Sequence, residues 1–392
     1  MTDQERRLRY EQKARARKIE KASRKAAKGP LDVPFLMLSL ILTGIGLVML
    51  FSASFPSAYY ESGNPAYYFL RQLGFGVLGI VLMFVVSRWN YARWRGLAVV
   101  SVGVAIILLA AVAFTPLGVT SNGATRWINL GIQFQPSEVA KVAVIIFFAD
   151  RISRKKEKML QFKEGILPFA AVLVVFSVLL MCEPHFSATV LICGIGCAML
   201  FVGGMQLKWL AFAAGGAAFV AGLFFTGVIT YNSSRIKIWR DPLNPEWMLD
   251  KGYQMRQSLI SIGSGGLTGV GLGQSRQKHL FLPEEHNDFI FSVICEELGL
   301  IGATIIMLLF AFLIIRGYWI ALHARDRFGS LLVIGVTTQI ALQTALNIAV
   351  VSNLVPASGI SLPFFSYGGT ALVIQLIEIG IVLSVSRQTP TE

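Results

Sequence analysis

The sequence predicts an all-α polytopic membrane protein of about ten transmembrane helices, and three observations lead there. Hydrophobic residues make up 54% of the 392 positions and charged residues only 15%, whereas a soluble globule carries about 25% charged residues. Mean hydropathy is +0.62. Long uncharged runs alternate with short basic clusters along the chain. A disordered chain, a fibrous chain and an ordinary cytosolic enzyme are excluded by that pattern.

The first element is a basic tail, residues 1–33, expected in the cytoplasm. Its first thirty residues hold eleven Lys/Arg against four acids, more than half of the net charge of +13. A solvated arm lying on anionic lipid accounts for it, and no nucleic-acid partner is expected. The apolar run that begins near Pro34 is too long for the h-region of a cleavable signal peptide.

A helix needs roughly 20 apolar residues to cross the hydrocarbon core. Ten stretches meet or approach that length: about 34–54, 70–87, 97–117, 135–150, 166–182, 187–205, 209–230, 289–315, 329–350 and 368–386. No internal repeat and no inverted pair of broken helices is visible. With the N-terminus inside, cytoplasmic segments hold 25 of the 35 Lys/Arg, the asymmetry that sets orientation. Ten crossings then return residues 387–392 to the cytoplasm. The transmembrane domain is expected over 34–386, with a large extracytoplasmic loop at 231–288 between spans seven and eight. Cys182, Cys193, Cys197 and Cys295 all fall in or beside apolar segments, as small core residues rather than a disulfide framework or zinc site.

The polar exceptions carry the functional reading. A connector of nearly sixty residues is too long to be a simple link. Its glycine-rich run, Gly263 to Gly273, could bring backbone amides to a phosphate or make tight turns in a re-entrant segment. No Gly-Lys-Ser/Thr follows and no strand precedes it, so a nucleotide P-loop is not supported. Next come Lys278-His279 and then Glu284-Glu285-His286-Asn287-Asp288 at the outer mouth of the eighth span. Asp288, the last polar residue before that helix, is either a partly desolvated general base or a helix N-cap. Three acids with two histidines could also take a divalent cation; no other cofactor is expected.

A second constellation runs from Asn122 to Ile128 and from Gln135 to Lys141. Pro136 suits a first helical turn. Glu138 and Lys141 stand at i, i+3 on one face. Ionisable residues at membrane depth serve either function or a mutual ion pair that locks two helices. Glu183-Pro184-His185 forms the outer hairpin between spans five and six. Glu378, inside the tenth span, needs a partner the sequence does not identify. Asn347, Asn353, Ser366 and Tyr367 read as helix-packing hydrogen bonders. Arg126, Lys141, Arg235, Lys237, Arg240, Arg256, Arg276 and Lys278 thus gather at the outer face near a short acidic cluster. That pattern suits a lipid-linked polyanion, with pyrophosphate as a leaving group stabilised by cations.

These same stretches resemble the SEDS family (shape, elongation, division, sporulation), the FtsW/RodA/SpoVE group of peptidoglycan glycosyltransferases. The matching residues are Asn122 to Ile128, Gln135-Pro136-Ser137-Glu138 with Lys141, Tyr253-Gln254 with Ser258, and Gly266 to Gly273. Lys278, Leu282 to Phe291, Glu296-Glu297-Leu298-Gly299 and Leu362 to Gly369 complete the set. Glu183-Pro184-His185-Phe186-Ser187 is similar to the FtsW/SpoVE branch, while Asn287 departs from the family's usual Thr. The resemblance covers about 34–386. It implies polymerisation of lipid II onto an undecaprenyl-linked glycan strand at the outer face of the bacterial cytoplasmic membrane, at a division septum or in sporulation. It implies Asp288 as the essential acid, with Arg126, Lys141 and Lys278 as important cations; Glu138 and His286 stand with them as substrate-binding candidates. The implied partners are a class B penicillin-binding protein transpeptidase and other division proteins. A lipid II flippase and a non-catalytic scaffold for the transpeptidase are the alternative functions.

Overall fold

The computed structural model describes residues 29–388 apart from 122–123, 130, 132, 156–158, 226–232 and 248–251. Most of the basic tail and residues 389–392 therefore lie outside the described residues. In chain order the α-helices are α1 Val33–Ser62, α2 Tyr67–Ser87, α3 Trp94–Phe114, α4 Pro136–Lys155, α5 Leu167–Cys182 and α6 Phe186–Val202. Then follow α7 Leu207–Phe225, α8 Ser233–Arg240, α9 Tyr253–Ser264, α10 Ile290–Leu322, α11 Arg327–Val351 and α12 Gly369–Ser386. The ten longest fall on the ten apolar stretches read from the sequence.

Among the described residues, seven stretches are long and apolar enough to cross a membrane by length and composition: those of α1, α2, α3, α5, α10, α11 and α12. α4 departs from that standard because it carries Glu138, Lys141, Asp150, Arg151 and Arg154. It keeps the first three of these buried, facing protein rather than lipid. α6 is apolar but has 17 residues. α1 runs eight residues past its apolar stretch; its 30 residues span about 45 Å, more than the roughly 30 Å of hydrocarbon. Hydropathy reads the crossing and misses the part of a helix that continues beyond it. Asp32 starts α1 by accepting from the Phe35 amide at 3.0 Å, and Gly63 stops it in the left-handed region at φ 69°.

α11 is the central helix. Thr337, Thr338, Gln339, Gln343, Thr344 and Asn347 are buried along it. A helix sheathed by other helices can hold so many polar groups because protein, not lipid, supplies their partners. Around it the aliphatic and aromatic side chains of α1 to α6, α10 and α12 form one continuous core.

The segments assigned to one side of the membrane by their basic residues meet at one end of the bundle. Arg316 pairs bidentately with Asp32 at 2.7–3.1 Å. Arg95 and Tyr91 both bond Asp326, each at 2.9 Å. The Gly29 amide donates to the Arg387 carbonyl at 2.9 Å, so the start of α1 and the end of α12 lie together.

Two features depart from an all-helical reading. Gly118–Ser121, Ala124–Asn129 and Gln133–Phe134 form β1, β2 and β3 of a small antiparallel sheet, in the order β1-β2-β3. Val119 pairs with Trp127 and Ser121 with Ala124. The signal was present: Asn-Gly between short runs of Val, Thr, Trp and Ile is the strongest short-range hairpin pattern. The segment 231–288, expected as a loop, holds α8 and α9 and then folds its glycine-rich run back onto α10.

That fold-back settles what the glycines do. α10 is broken at Gly299, which adopts φ 66° and ψ −169°. The orphaned groups of the break are satisfied by the glycine run. Val270 N bonds Glu296 O at 3.0 Å, Gly271 N bonds Glu297 O at 3.1 Å, and Leu300 N bonds Gly266 O at 2.9 Å. A Cβ on Gly299 would lie 2.2 Å from Gly269 N, and one on Gly269 would lie 2.1 Å from Glu297 O. The glycines make tight turns and a close backbone approach, not a phosphate cradle. Gly299→Ala combines a left-handed backbone with backbone clashes. It is expected to abolish folded yield or lower the thermal midpoint in detergent by more than about 10 °C. Size-exclusion profile and thermal unfolding check it; a wild-type midpoint would refute the account.

Candidate active site

Asp288 stands just before α10 and does not cap it. Phe289 is the N-cap, and no side chain caps the helix. The Asp288 carboxylate instead faces an extended segment, 357–361, whose Gly359 leaves room for it: a Cβ on Gly359 would sit 3.0 Å from Asp288 Oδ2. Gly359 also needs its φ of 67°. Donors from several elements pin this segment. Arg235 of α8 bonds the Ala357 carbonyl at 2.9 Å, and Ser187 of α6 donates to the Ser358 carbonyl. Asn347 Nδ2 donates to Ile360 O at 2.6 Å and to Asp288 O at 2.9 Å. Gln343 Nε2 donates to Ser361 O at 3.1 Å.

Among the described residues no group donates a hydrogen bond to the Asp288 carboxylate. Burial pushes its pKa up, the neighbouring Glu284 charge adds to that, and Arg126, Arg235 and His286 pull the other way, leaving it at about 6. Such a carboxylate is mostly ionised at neutral pH, yet more basic than an ordinary aspartate.

The carboxylate opens on a cavity of about 1280 Å³, larger and more polar than the usual small-molecule pocket. Arg71, Arg126, Lys141 and Arg235 supply its cations, and Glu61, Glu138, Glu284 and Asp288 its acids. Arg126, on β2, is steered by the α5–α6 hairpin: its Nη2 donates to Pro184 O at 2.6 Å. Lys141 is 2% exposed. Its Nζ lies 2.9 Å from Glu138 Oε2 and donates to Gln343 Oε1 at 3.1 Å. The i, i+3 pair thus exists and also borders the cavity. His286 stacks on Tyr68 with ring centroids 4.5 Å apart.

Five of the six candidate residues therefore line one cavity: Asp288, Arg126, Lys141, Glu138 and His286. Lys278 does not. Its Nζ, 3% exposed, is 2.9 Å from Glu297 Oε1 and 3.1 Å from Ser52 Oγ. Beside it Glu296 accepts from Ser275 Oγ at 2.6 Å, Arg276 N at 2.9 Å and Ser261 Oγ at 3.0 Å. This closed network fastens the turn ahead of Asp288 to α1, α9 and α10. Sequence reasoning missed Glu61, Tyr67, Tyr68 and Gly359. The pairing of aromatic and acidic residues from Tyr59 to Tyr68, at the outer end of the first span, was the available signal. Glu378 finds its partner in Gln339, whose Nε2 donates at 2.7 Å. Cys182, Cys193, Cys197 and Cys295 are free thiols. The divalent cation weighed from the sequence meets no cluster of three or more His, Cys, Asp or Glu among the described residues.

The α5–α6 hairpin holds two further perturbed groups. His185 is buried near Arg126 and Lys141, and its pKa falls to about 3, so the ring is neutral. Glu183 is buried, and neither carboxyl oxygen has a hydrogen-bond donor among the described residues. Burial raises its pKa from 4.5 to about 8 against the pull of Arg126. The folded chain therefore holds this proton more tightly than the unfolded chain. The penalty for ionisation is absent below about pH 4.5, grows as pH rises and is complete above about pH 8. Replacing Glu183 by Gln removes it. The thermal midpoint of Glu183→Gln, measured against wild type, is expected to be more favourable at pH 8.5 than at pH 4.5; an equal difference at both would refute it.

Comparison with known proteins agrees with this architecture. The stage V sporulation protein E of Bacillus subtilis is 38% identical over 358 residues, covering 91% of this chain and 97% of that protein. The probable peptidoglycan glycosyltransferase FtsW of Trichlorobacter lovleyi is 38% identical over 357 residues, covering 91% and 93%. A chain from a peptidoglycan synthase complex, solved to show how polymerization and crosslinking are coordinated, superposes with a TM-score of 0.76 at 26% identity, covering 91% of this chain and 98% of that one. The rod shape determining protein RodA of Thermus thermophilus superposes with a TM-score of 0.67 at 25% identity, covering 93% and 99%. Residues 33–391 match the FTSW_RODA_SPOVE family of cell cycle proteins, and the chain belongs to that family.

Proposed function

We propose that this chain is a peptidoglycan glycosyltransferase that polymerises lipid II at the outer face of the bacterial cytoplasmic membrane during division or sporulation. The observation that carries the reading is Asp288, a carboxylate with no hydrogen-bond donor among the described residues and a pKa near 6, on the wall of a cavity that also holds Arg126, Lys141 and Arg235. The relatives named for peptidoglycan glycosyl transfer and for sporulation support it. The cavity also lies at the Arg126–Arg235 end of the bundle, away from the cluster of Asp32, Arg95, Arg316 and Arg387 that the positive-inside rule places in the cytoplasm.

In this reading the acceptor lipid II presents its GlcNAc 4-hydroxyl to Asp288. The carboxylate takes the proton as the oxygen attacks the MurNAc anomeric carbon of the growing strand. The bond from that carbon to the diphosphate breaks, its electron pair stays on the diphosphate oxygen, and a β-1,4 linkage forms with inversion. Arg126, Lys141 and Arg235 hold the charge of the departing undecaprenyl diphosphate. One base and a stabilised leaving group suffice, with no covalent glycosyl-enzyme. Lys278 acts at a distance by fixing the turn ahead of Asp288. The solved relative from a synthase complex supports a crosslinking partner, which we assign to a class B penicillin-binding protein at the septum.

Polymerisation of labelled lipid II by the purified chain with that partner tests the assignment. Asp288→Asn is expected to lower kcat by about 10²–10⁴-fold, with partner binding and thermal midpoint retained. Full activity in that variant would reject Asp288 as base. Lipid translocation without polymer from wild type would favour the flippase. Because the ionised form of Asp288 is the active one, kcat/KM should rise with pH and reach half its plateau near pH 6; an acidic limb near pH 4 would contradict the desolvated site. Arg126→Ala should cost roughly 10²-fold.

A further inference from the structure

Part of the cavity wall is built unlike its cationic portion. Glu61 comes from the last turn of α1, Tyr67, Tyr68 and Arg71 from the first turns of α2, Tyr367 from the turn before α12, and His286 from the strip leading to Asp288; all six line the cavity. The rings form one group. Tyr68 lies 4.5 Å from His286, 4.9 Å from Tyr367 and 5.3 Å from Tyr67, centroid to centroid. Tyr68 Oη donates to the Glu61 carboxylate, and Arg71 Nη1 donates to Tyr67 Oη at 2.8 Å. Tyr67 remains 37% exposed.

The group is held as a unit. The buried Gln72 amide donates to Ser366 O at 3.2 Å, and its oxygen accepts from Gly368 N at 3.2 Å. Tyr367 N donates to His286 O at 2.9 Å. α2, the 366–368 turn and the strip that ends in Asp288 are therefore tied to one another by hydrogen bonds.

This surface does not suit a diphosphate. The faces of aromatic rings carry negative quadrupole charge, and the Glu61 carboxylate adds to it. A sugar ring has the complementary chemistry: polarised C–H faces to lie on the rings, and hydroxyls to bond Glu61 and Arg71. We infer that Tyr67, Tyr68 and Tyr367, with Glu61 and Arg71, form a saccharide subsite that holds sugar rings of the glycan strand outside the reacting pair. The inference rests on the glycosyltransferase reading and assigns the two walls of the cavity to the two halves of one substrate.

Two measurements on the full chain in lipid nanodiscs test it. The first titrates the protein with a lipid-free, phosphate-free peptidoglycan tetrasaccharide; the second supplies lipid II with the transpeptidase partner present and reads strand length on a gel at matched substrate consumption. Tyr67→Ala and Tyr68→Leu should each weaken tetrasaccharide binding roughly fivefold to tenfold and shorten the strands. Tyr68→Phe keeps the ring, loses the bond to Glu61, and should stay within about threefold of wild type. Thermal midpoints of the variants guard against misfolding, and the Phe–Leu contrast at position 68 compares residues of similar bulk. Tetrasaccharide affinity and strand length unchanged in Tyr67→Ala and Tyr68→Leu overturn the subsite. A wild-type chain that binds the tetrasaccharide through these rings yet makes no polymer sinks the glycosyltransferase reading and leaves the subsite standing.

Discussion

Three amides on one face of α11 hold the site together. Gln339, Gln343 and Asn347 are spaced by four residues and therefore stack along the helix. Gln339 donates to Glu378 of α12. Gln343 accepts from Lys141 of α4 and donates to Ser361. Asn347 donates to the carbonyls of Asp288 and Ile360. A side-chain amide carries no charge; Gln343 both donates and accepts, while the buried oxygens of Gln339 and Asn347 find no donor among the described residues. Each rung joins a different partner to the same helix, and the backbone at Asp288 is fixed relative to Lys141 through one rigid rod. Loss of a rung leaves buried polar atoms without partners, which is expensive in a low-dielectric interior.

The same interior separates two kinds of ionisable residue. Lys278 and Glu297 neutralise each other, and Ser52 and Ser275 satisfy the remaining valences of the carboxylate. The pair lies outside the cavity lining and acts as a fastening. Asp288 is the opposite case, a carboxylate at a cavity with no donor of its own among the described residues. An unbonded acid in such a place is a liability for stability, and proteins keep strained or desolvated groups mainly where chemistry needs them. Lys141 stands between these cases, paired with Glu138 yet bordering the cavity, so a bound anion could draw on a charge that is already held in place.

How far the sequence was readable follows from this division. Hydropathy reads the long helices best where lipid demands apolar side chains over a fixed length, a demand that seven stretches meet among the described residues. Their ends were misjudged where a helix outran the membrane, as α1 does beyond residue 54. Asn-Gly between short runs of β-branched and aromatic residues is a hairpin signal as much as a chemical one, and the flanking residues pair as β1 and β2. Arg126, Glu138, Lys141, His286 and Asp288 line one cavity, and the sequence pointer to it was the placing of Arg126, Lys141 and a short acidic cluster at the outer face. Lys278 reads identically in one dimension, and only its partner 19 residues later in α10 shows that its charge is spent. The glycine run was ambiguous for a similar reason. A backbone that must approach a phosphate and one that must approach the broken turn at Gly299 ask for the same residue.

The charges around Asp288 also bear on the order of events in the proposed reaction. Burial and Glu284 raise its basicity, while Arg126 and Arg235 lower it. A diphosphate engaging those two arginines cancels part of their influence, so the carboxylate becomes a stronger base when a leaving group is in place and a weaker one when it is not. Of the aromatic wall only His286 enters that balance; Arg71 is turned onto Tyr67. The saccharide half of a substrate would then mainly fix position, and the phosphate half would act on the proton affinity of the acid through the two arginines. Such a partition would let one carboxylate serve as the base at neutral pH.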